Sequence, residues 1–345
     1  PRHGVTVTSI SGRPVHPQLR HAVLECLADL KAGDNVLVAC SGGPDSLALV
    51  AATVQVAGER ELHCAAVIVD HGLQADSAQV AQHAAQTCEL LGMKDVDVIA
   101  VTVATDGGPE AAARTARYQA LRQAAQAQNA RAVLLAHTLD DQAETVLLRL
   151  ARGSGARTLA AMAVQQGLYR RPFLGLPRTL VHQGCAQALE PLGREPWRDP
   201  HNADLRFARV RVRAVLAELV DALGPGVIAG LSRSAALLRD DADALDEEAR
   251  EWMSMHLPEH DPASNEMQGC DLPIEALRAL PRALRTRVIR SSCLAAGSPA
   301  ADLDLAHIVE VERLVTHWHG QGEVALPGRV RAWRDYGRLR IHGGH

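Results

Sequence analysis

Short β-branched runs alternate with longer alanine-rich stretches between Asn35 and about Leu150, and this alternation limits the chain to few folds. The runs read NVLVAC, AAVIVD, DVDVIAV and RAVLLAH, and a segment of helical length and composition follows each of them. Alternation of this kind is typical of a parallel sheet with helices on both faces. The sequence therefore predicts an α/β fold for this part of the chain.

The length of 345 residues exceeds the usual size of a single hydrophobic core, so we expect more than one domain. We predict a flexible N-terminus over residues 1–18 and a first domain over residues 19–223. Residues 171–223 look irregular apart from one basic helix, and we interpret them as an extension of that domain. Residues 224–345 should form a smaller, mainly helical domain that ends in short antiparallel strands.

Composition and cysteine spacing exclude several classes of protein. The net charge of −4 gives no overall attraction to nucleic acid, so any basic surface must be local. The seven cysteines are dispersed and form no C-x-x-C pair, which favours reduced thiols in a cytoplasm over a zinc ribbon or a cysteine-ligated cluster. We find no signal peptide and no apolar stretch of membrane-spanning length, so no membrane partner is expected.

The segment SGGPDS, residues 41–46, lies between the first predicted strand and the helix after it. Glycines at such a turn let the backbone approach an anion, and the first N–H groups of the helix remain free to bind phosphate. The usual phosphate loop carries a lysine, whereas the charged residue here is Asp45. A carboxylate beside polyphosphate requires a cation such as Mg²⁺ between them, so the loop predicts a metal-bound nucleotide. The alternative is an ordinary Gly-Pro turn that enters a helix.

Two further polar clusters follow other predicted strands. Asp70, His71 and Gly72 come after the second strand, and residues 137–141 come after the fourth. Because ligands gather at the carboxyl ends of parallel strands, the three clusters should meet at one sheet edge. His137, Asp141 and Glu144 are spaced for one helix face, with Thr138 or Asp140 as the cap, and Asp141 could share Mg²⁺ with Asp45. The alternatives are dipole matching by the aspartates and a half-buried histidine at a strand end.

Taken together, six motifs resemble those of the tRNA(Ile)-lysidine synthetases, members of the N-type ATP pyrophosphatase superfamily. The motifs are SGGPDS, VDHGLQ, GPEAAARTARYQAL, AHTLDDQAETVLLRLARGSG, RRPFLGLPR and WRDPHNADLRFARVRVR. Their order and approximate spacing match that family over roughly residues 30–215. The resemblance implies an adenine nucleotide α-hydrolase-like fold for the first domain and a C-terminal tRNA-binding or accessory domain.

The resemblance also implies a two-step reaction that consumes ATP. The wobble cytidine of an isoleucine tRNA with a CAU anticodon is adenylated at O2, which releases pyrophosphate. The ε-amine of free L-lysine then displaces AMP to give lysidine. The implied cofactors are ATP and Mg²⁺, the implied partners are this tRNA and lysine, and a homodimer is a candidate assembly.

Site residues follow from the match with the family motifs. ATP would be bound by the loop residues Ser41, Gly42, Gly43, Pro44, Asp45 and Ser46, with Asp45 and Asp141 on Mg²⁺. The catalytic set would be Asp45, His137, Asp141 and Arg114, and substrate handling would fall to Arg117, Asp199, Asn202, Arg209 and Arg213. Arg114 and Arg117 could equally be two solvated arginines on one helix face. Asp141, Glu144 and Glu110 are all candidates for accepting the proton of the lysine amine.

Basic residues form two local clusters that could contact RNA phosphates. One lies at residues 206–213 and the other at residues 329–340, although the second could simply be the exposed side of an amphipathic element. The chain departs from the family pattern at Arg198, where an acidic residue is usual, and at Val210, where asparagine is usual.

The alternative functions are a tRNA cytidine 2-thiolase of the same superfamily and an ATP-binding module without chemistry.

Overall fold

A computed structural model describes residues 15–72, 76–102, 109–153, 155–200, 204–257 and 269–344, without the side chains of residues 109–111. The described chain forms two compact units, the first ending at Ala236 and the second beginning at Leu237. Helix α1 (Pro17–Cys26) begins inside the segment that the sequence predicts to be flexible, and residues 1–14 of that segment lie outside the described residues.

The first unit contains a six-stranded sheet in the order β3-β2-β1-β4-β6-β5. Neighbouring strands from β3 to β6 pair in parallel, and β5 is antiparallel to β6. This sheet confirms the predicted α/β fold. Its strands are β1 (Asn35–Cys40), β2 (His63–Asp70), β3 (Asp95–Ala100), β4 (Ala130–Leu134), β5 (Gln165–Gln166) and β6 (Tyr169–Arg170).

Alternate residues of β1 pack into two different cores, as the period of a strand requires. Val36 and Val38 belong to a core on one face that also contains buried residues of α1, α2 (Pro44–Glu59), α3 (Ser77–Leu90) and α7 (Arg178–Leu189). Leu37 and Ala39 belong to the core on the other face, together with buried residues of α4 (Pro109–Ala127). The sheet is therefore covered on both faces, and the apolar run NVLVAC is buried from both sides.

Three further helices of the first unit come after β4 in the chain, and the first of them packs against the other two. They are α5 (Leu139–Leu150), the short α6 (Ala156–Leu159) and α8 (Ala208–Leu223). Helix α9 (Gly226–His256) follows, and the division between the two units falls within it. No single helix in the described ranges is long and apolar enough to cross a membrane, and only the bent pair α8 and α9 taken together passes that test.

Helix α7 lies in the region that looks irregular in the sequence. Val181, Gly184, Cys185 and Leu189 are its buried residues, and their spacing is helical. A Cβ on Gly184 would come within 2.2 Å of Leu19 Cδ1, so the glycine permits close packing against α1. Because this packing is non-local, the short apolar stripe of α7 is a weak signal in the sequence.

The second unit contains the predicted antiparallel strands. Their order is β7-β10-β9-β8, with β7 (Cys270–Pro273), β8 (Val324–Leu326), β9 (Val330–Asp335) and β10 (Arg338–Gly343). The helices α10 (Ile274–Ala279), α11 (Arg282–Ala295) and α12 (Leu305–Thr316) pack with this sheet and the end of α9 in one apolar core. The terminal hairpin confirms the predicted short strands, whereas β7 is too short to be recognised from the sequence.

Candidate active site

The phosphate loop joins β1 to α2 and is shaped by one glycine. Gly42 has a φ of +77°, in the left-handed region that favours glycine, and a Cβ at this position would lie 3.0 Å from Ala84 Cβ on α3. Gly43 is the N-cap of α2 and provides no side-chain cap. The first N–H groups of α2 are therefore available to an anion, and the helix dipole favours negative charge there.

Ser46 supports the loop from inside. Its hydroxyl donates to the carbonyl oxygen of Gly43 at 2.9 Å and accepts from the backbone N–H of Ser41 at 3.1 Å. The side chain is almost fully buried. Ser46 thus holds the backbone in shape for a ligand, while the exposed Ser41 is the serine of the loop that can reach one.

The N-terminus of α5 is closed by a capping box. Thr138 Oγ1 accepts from the backbone N–H of Asp141, and Asp141 Oδ2 accepts from the backbone N–H of Thr138 at 2.8 Å. This confirms the expected cap by Thr138. His137 precedes the helix, and its Nδ1 is buried with no partner among the described residues. Burial lowers the pKa of His137 to about 3, so its ring is neutral at pH 7 and can exchange hydrogen bonds with a ligand but carries no charge.

Arg178, at the start of α7, forms hydrogen bonds with three carboxylates. Its backbone N–H donates to Asp140 Oδ2 at 2.8 Å, and its Nη2 lies 2.8 Å from Asp141 Oδ1 and 3.0 Å from Glu144 Oε1. Burial lowers the pKa of Arg178, but Asp141 and Glu144 outweigh burial and raise it. Arg213 from α8 also binds Glu144, with Nε at 2.8 Å. The cluster therefore holds α5, α7 and α8 together beside the loop.

Asp45 has a carboxylate oxygen without a hydrogen bond. Oδ1 is buried and accepts no hydrogen bond from the described residues, although His182 Nε2 lies 3.2 Å away. Burial, and to a smaller extent the charge of Asp141, raise the pKa of Asp45 to about 6, against the opposing charges of His182 and Arg178. A carboxylate that is short of partners and repelled by a neighbouring carboxylate fits a bound cation.

The second predicted metal ligand has different surroundings. Both oxygens of Asp141 already have partners, Oδ1 in Arg178 and Oδ2 in Thr138. Burial raises the pKa of Asp141, but these partners outweigh it and hold the pKa below its usual range. Across the described ranges no three His, Cys, Asp or Glu side chains form a metal-binding group. A cation at Asp45 would therefore take most of its ligands from phosphate and water.

A cavity of about 260 Å³ opens beside the loop at the carboxyl ends of β1 and β2. Its apolar wall comes from both strands and from α3, and Asp70 and His71 line the end of β2. His71 Nδ1 is buried without a partner among the described residues, and burial lowers the pKa of this ring. Trp197 also lines the cavity, and its backbone N–H donates to the Gly42 carbonyl at 2.9 Å. Size, apolar walls and the adjoining loop suit a nucleoside.

The two arginines predicted on α4 have different surroundings. Arg117 lines the cavity, and burial lowers its pKa. Arg114 is exposed, and its guanidinium lies over the Tyr118 ring at 4.9 Å from the centroid. The structure thus brings Arg117 to the cavity, and not Arg114, to which the sequence assigned the catalytic role. The difference arises from the rotation of α4 against the sheet.

The other residues predicted to handle substrate or to accept a proton have different surroundings. Asp199 lines the cavity, and Arg209 is close enough to His137 and Arg117 to lower the pKa of both. Arg213 is held by Glu144. Asn202 and the side chain of Glu110 lie outside the described residues.

Sequence reasoning did not assign roles to Arg178 and His182, which contact the carboxylates of the site. Arg178 ends the motif RRPFLGLPR, so the motif was the available signal. His182 lies four residues later on the same helix, where it has no motif of its own. Both reach the site only because α7 packs along α2.

Most arginines of the β9–β10 hairpin already have partners in the second unit. Arg331 pairs with Glu323 and Arg340 with Asp335, while Arg334 lies over the ring of Trp318. Tyr336 at the turn is 98% exposed. An exposed aromatic ring among arginines suits RNA contact, and the pairing also fits the alternative of a solvated strand face.

Family models and full-length relatives match this chain over most of its length. A PP-loop domain model matches residues 15–220, and a TilS substrate binding domain model matches residues 272–340. The chain is 51% identical to a tRNA(Ile)-lysidine synthase of Thermobifida fusca, over 96% of this chain and 99% of that protein. It is 48% identical to one of Streptomyces coelicolor, over 90% of this chain and 85% of that protein.

Among solved structures, the chain is similar to a U34-tRNA thiolase of Methanococcus maripaludis. The TM-score is 0.54 at 19% identity, over 65% of this chain and 78% of that one. Identity this low supports the fold alone. The domain matches and the full-length relatives together show that the chain belongs to the tRNA(Ile)-lysidine synthase family.

Proposed function

We propose that this chain ligates free L-lysine to C2 of the wobble cytidine in the CAU-anticodon isoleucine tRNA, at the expense of ATP. The observation that carries the proposal is a nucleoside-sized cavity that ends at an uncapped phosphate loop, in a chain 51% identical to a tRNA(Ile)-lysidine synthase. The thiolase alternative rests only on a fold shared at 19% identity.

In the first step the cytidine O2 attacks the α-phosphorus of ATP, and the bond to the β-phosphate oxygen breaks to release pyrophosphate. The backbone N–H groups of Gly43 and the first turn of α2 would hold that leaving group. Arg117 is the cation of the cavity wall best placed to offset charge that builds on the α-phosphate. Mg²⁺ held by Asp45 would neutralise phosphate charge in this arrangement.

In the second step the ε-amine of lysine attacks C2, the C2–O bond breaks, and AMP leaves while the amine loses a proton. Glu144 is poorly suited to take that proton, because its oxygens are held by Arg178 and Arg213 and its side chain is 2% exposed. We assign Glu144 instead to positioning these two arginines. We expect the enzyme to act in the cytoplasm, with a homodimer as the candidate assembly.

Incubation with ATP, radiolabelled lysine and a transcript of the CAU-anticodon tRNA tests the proposal. We expect label in the tRNA and a nucleoside whose mass equals cytidine plus lysine less water. A transcript with uridine at the wobble position is the matched control and should stay unlabelled. Pyrophosphate release without lysine incorporation into the first transcript would contradict the ligase assignment.

Two arginines of α4 provide a matched pair of variants for the adenylation step. Arg117→Ala removes the cation that lines the cavity, and we expect ATP–pyrophosphate exchange to fall by about a hundredfold. Arg114→Ala removes a cation that lies over Tyr118, and the expected loss is below about fivefold. A larger loss for Arg114→Ala would return the catalytic role to Arg114.

A further inference from the structure

Two buried thiols meet directly beneath the phosphate loop. Cys40 is the last residue of β1, and Cys88 lies in the last turns of α3. Both are buried, and the Cys88 thiol donates to Cys40 Sγ at 3.6 Å. The proposed lysine ligation gives neither thiol a role.

Cys40 is bonded to the loop on its other side. The backbone N–H of Gly42 donates to Cys40 Sγ at 3.4 Å, and Ser46 Oγ lies 3.6 Å from the same sulfur. Ala84, one helical turn before Cys88, is the residue that a Cβ on Gly42 would approach to 3.0 Å. One face of α3 therefore lies against Gly42 of the loop and against Cys40 just before it, so a movement of Cys40 toward Cys88 changes the contacts that Cys40 makes with the loop.

Cys40 is also the thiol that a small oxidant can reach, because it lines the nucleotide cavity. Its pKa is lowered chiefly by the hydrogen bond from Cys88 and also by that from the Gly42 N–H, which together outweigh the opposing effect of burial. The same hydrogen bond raises the pKa of Cys88. Since the thiolate is the reactive form, Cys40 is the attacking sulfur and Cys88 the resolving one.

We propose that Cys40 and Cys88 form a reversible disulfide that disables nucleotide binding at the loop. With hydrogen peroxide as the oxidant, Cys40 attacks one peroxide oxygen, the O–O bond breaks, and a sulfenic acid and water form. Cys88 then attacks the sulfenic sulfur, the S–O bond breaks, and a second water leaves with the Cys88 proton. Two thiols and one peroxide thus give one disulfide and two waters.

Bond formation requires the sulfurs to close from 3.6 Å to about 2.0 Å. This movement draws Cys40 Sγ away from the Gly42 N–H and from Ser46 Oγ, which are its contacts with the loop. Loss of one or two such bonds corresponds to nucleotide binding weaker by about tenfold or more. Bound nucleotide would fill the cavity and slow the oxidation of Cys40.

The disulfide is testable by peptide mapping without reducing agent, after the full chain is treated with hydrogen peroxide. We expect a cross-linked pair of peptides containing Cys40 and Cys88, less of it when ATP is present, and none in Cys88→Ala. Cys185→Ala is the matched control, because Cys185 is buried in the same core, and it should cross-link like the wild type. Absence of the pair, or its replacement by a link between Cys40 and Cys185, would overturn the proposal.

The effect on the loop rests on the proposed function and is measured separately, with a fluorescent ATP analogue. We expect binding to fall in step with the cross-linked fraction and to return with dithiothreitol. A fully cross-linked chain that binds the analogue normally would overturn the switching role. If the untreated protein fails to bind the analogue, the proposed function fails instead, and the peptide map still decides the thiol chemistry.

Discussion

Glutamine at position 144 keeps the volume of the native glutamate but removes its charge from between two guanidinium groups. Glu144 is 2% exposed in its side chain, with Arg213 Nε at 2.8 Å and Arg178 Nη2 at 3.0 Å. The guanidinium of Arg178 also binds Asp141, and its backbone N–H binds Asp140, whereas Arg213 forms its ion pair with Glu144. Glu144→Gln therefore leaves Arg213 without its ion pair, and it leaves Arg178 with only its ion pair to Asp141.

The cost of Glu144→Gln follows from these contacts. Each charge-assisted hydrogen bond to a buried group contributes about 1.5–3 kcal/mol. Arg178 keeps Asp141, and Arg213 is 39% exposed and can turn toward water, so the cost lies below the roughly 3–5 kcal/mol of a fully unpaired buried ion. We expect a loss of about 2–3 kcal/mol, which lowers the melting temperature by about 4–12 °C for a unit of this size.

Calorimetry measures the stability, and ATP–pyrophosphate exchange with the tRNA measures the first chemical step. Because Arg213 loses its ion pair and Arg178 keeps only its contacts with Asp140 and Asp141, these arginines are held less firmly, and we expect the exchange rate to fall by about a hundredfold. The chain offers a matched control in the second unit, where Glu312 is buried between Arg282 and Arg285. Glu312→Gln should cost a similar free energy of unfolding and change the exchange rate by less than about twofold.

Two results would refute this reasoning. An unchanged melting temperature for Glu144→Gln would mean that the ion pairs contribute nothing to folding. Equal losses of exchange activity in Glu144→Gln and Glu312→Gln would mean that activity follows stability, and not the placement of the arginines beside the loop.

Three other substitutions test single features. Asp45→Asn removes a buried charge that Asp141 repels, so we expect an unchanged or higher melting temperature together with loss of pyrophosphate exchange; wild-type exchange would contradict the metal assignment. Gly42→Ala should weaken ATP binding and cost at least about 1–2 kcal/mol, whereas Gly33→Ala, with a similar positive φ and open space, should cost the strain alone and spare ATP binding. Asp29→Asn should cost about 1 kcal/mol at pH 7, because Arg170 holds the pKa of Asp29 below its usual value through hydrogen bonds. That stability is present above about pH 4 and lost as the pH falls further, so melting curves of the wild type and Asp29→Asn should converge in acid, and a constant difference would contradict the pairing.

The parts of the site that were predictable are those encoded within a few consecutive residues. The run NVLVAC followed by SGGPDS specifies a buried strand, a glycine turn and a helix start, and the structure has all three. The capping box of Thr138 and Asp141 is likewise contained in four residues. Short-range patterns of burial, capping and turn formation act in the same way wherever the segment lies.

The structure assigns other residues differently because their surroundings come from distant segments. Asp141 appears in the sequence as a free metal ligand, but Arg178, 37 residues later, already occupies one of its oxygens. Arg114 and Arg117 look equivalent on α4, yet only Arg117 lines the cavity. Such differences depend on how a helix is rotated against its neighbours, which no local pattern specifies.

The sequence by itself thus determined the alternation of strands and helices between Asn35 and about Leu150, the phosphate loop and the family, because periodic burial and turn chemistry are properties of contiguous residues. The tertiary structure alone decided which side chains meet at the loop. Arg178 and His182 reach Asp141 and Asp45 through the packing of α7 on α2, and Cys88 reaches Cys40 through the packing of α3. These contacts join residues that lie dozens of positions apart in the sequence. They form only because packing of the helices in a common core brings those residues together.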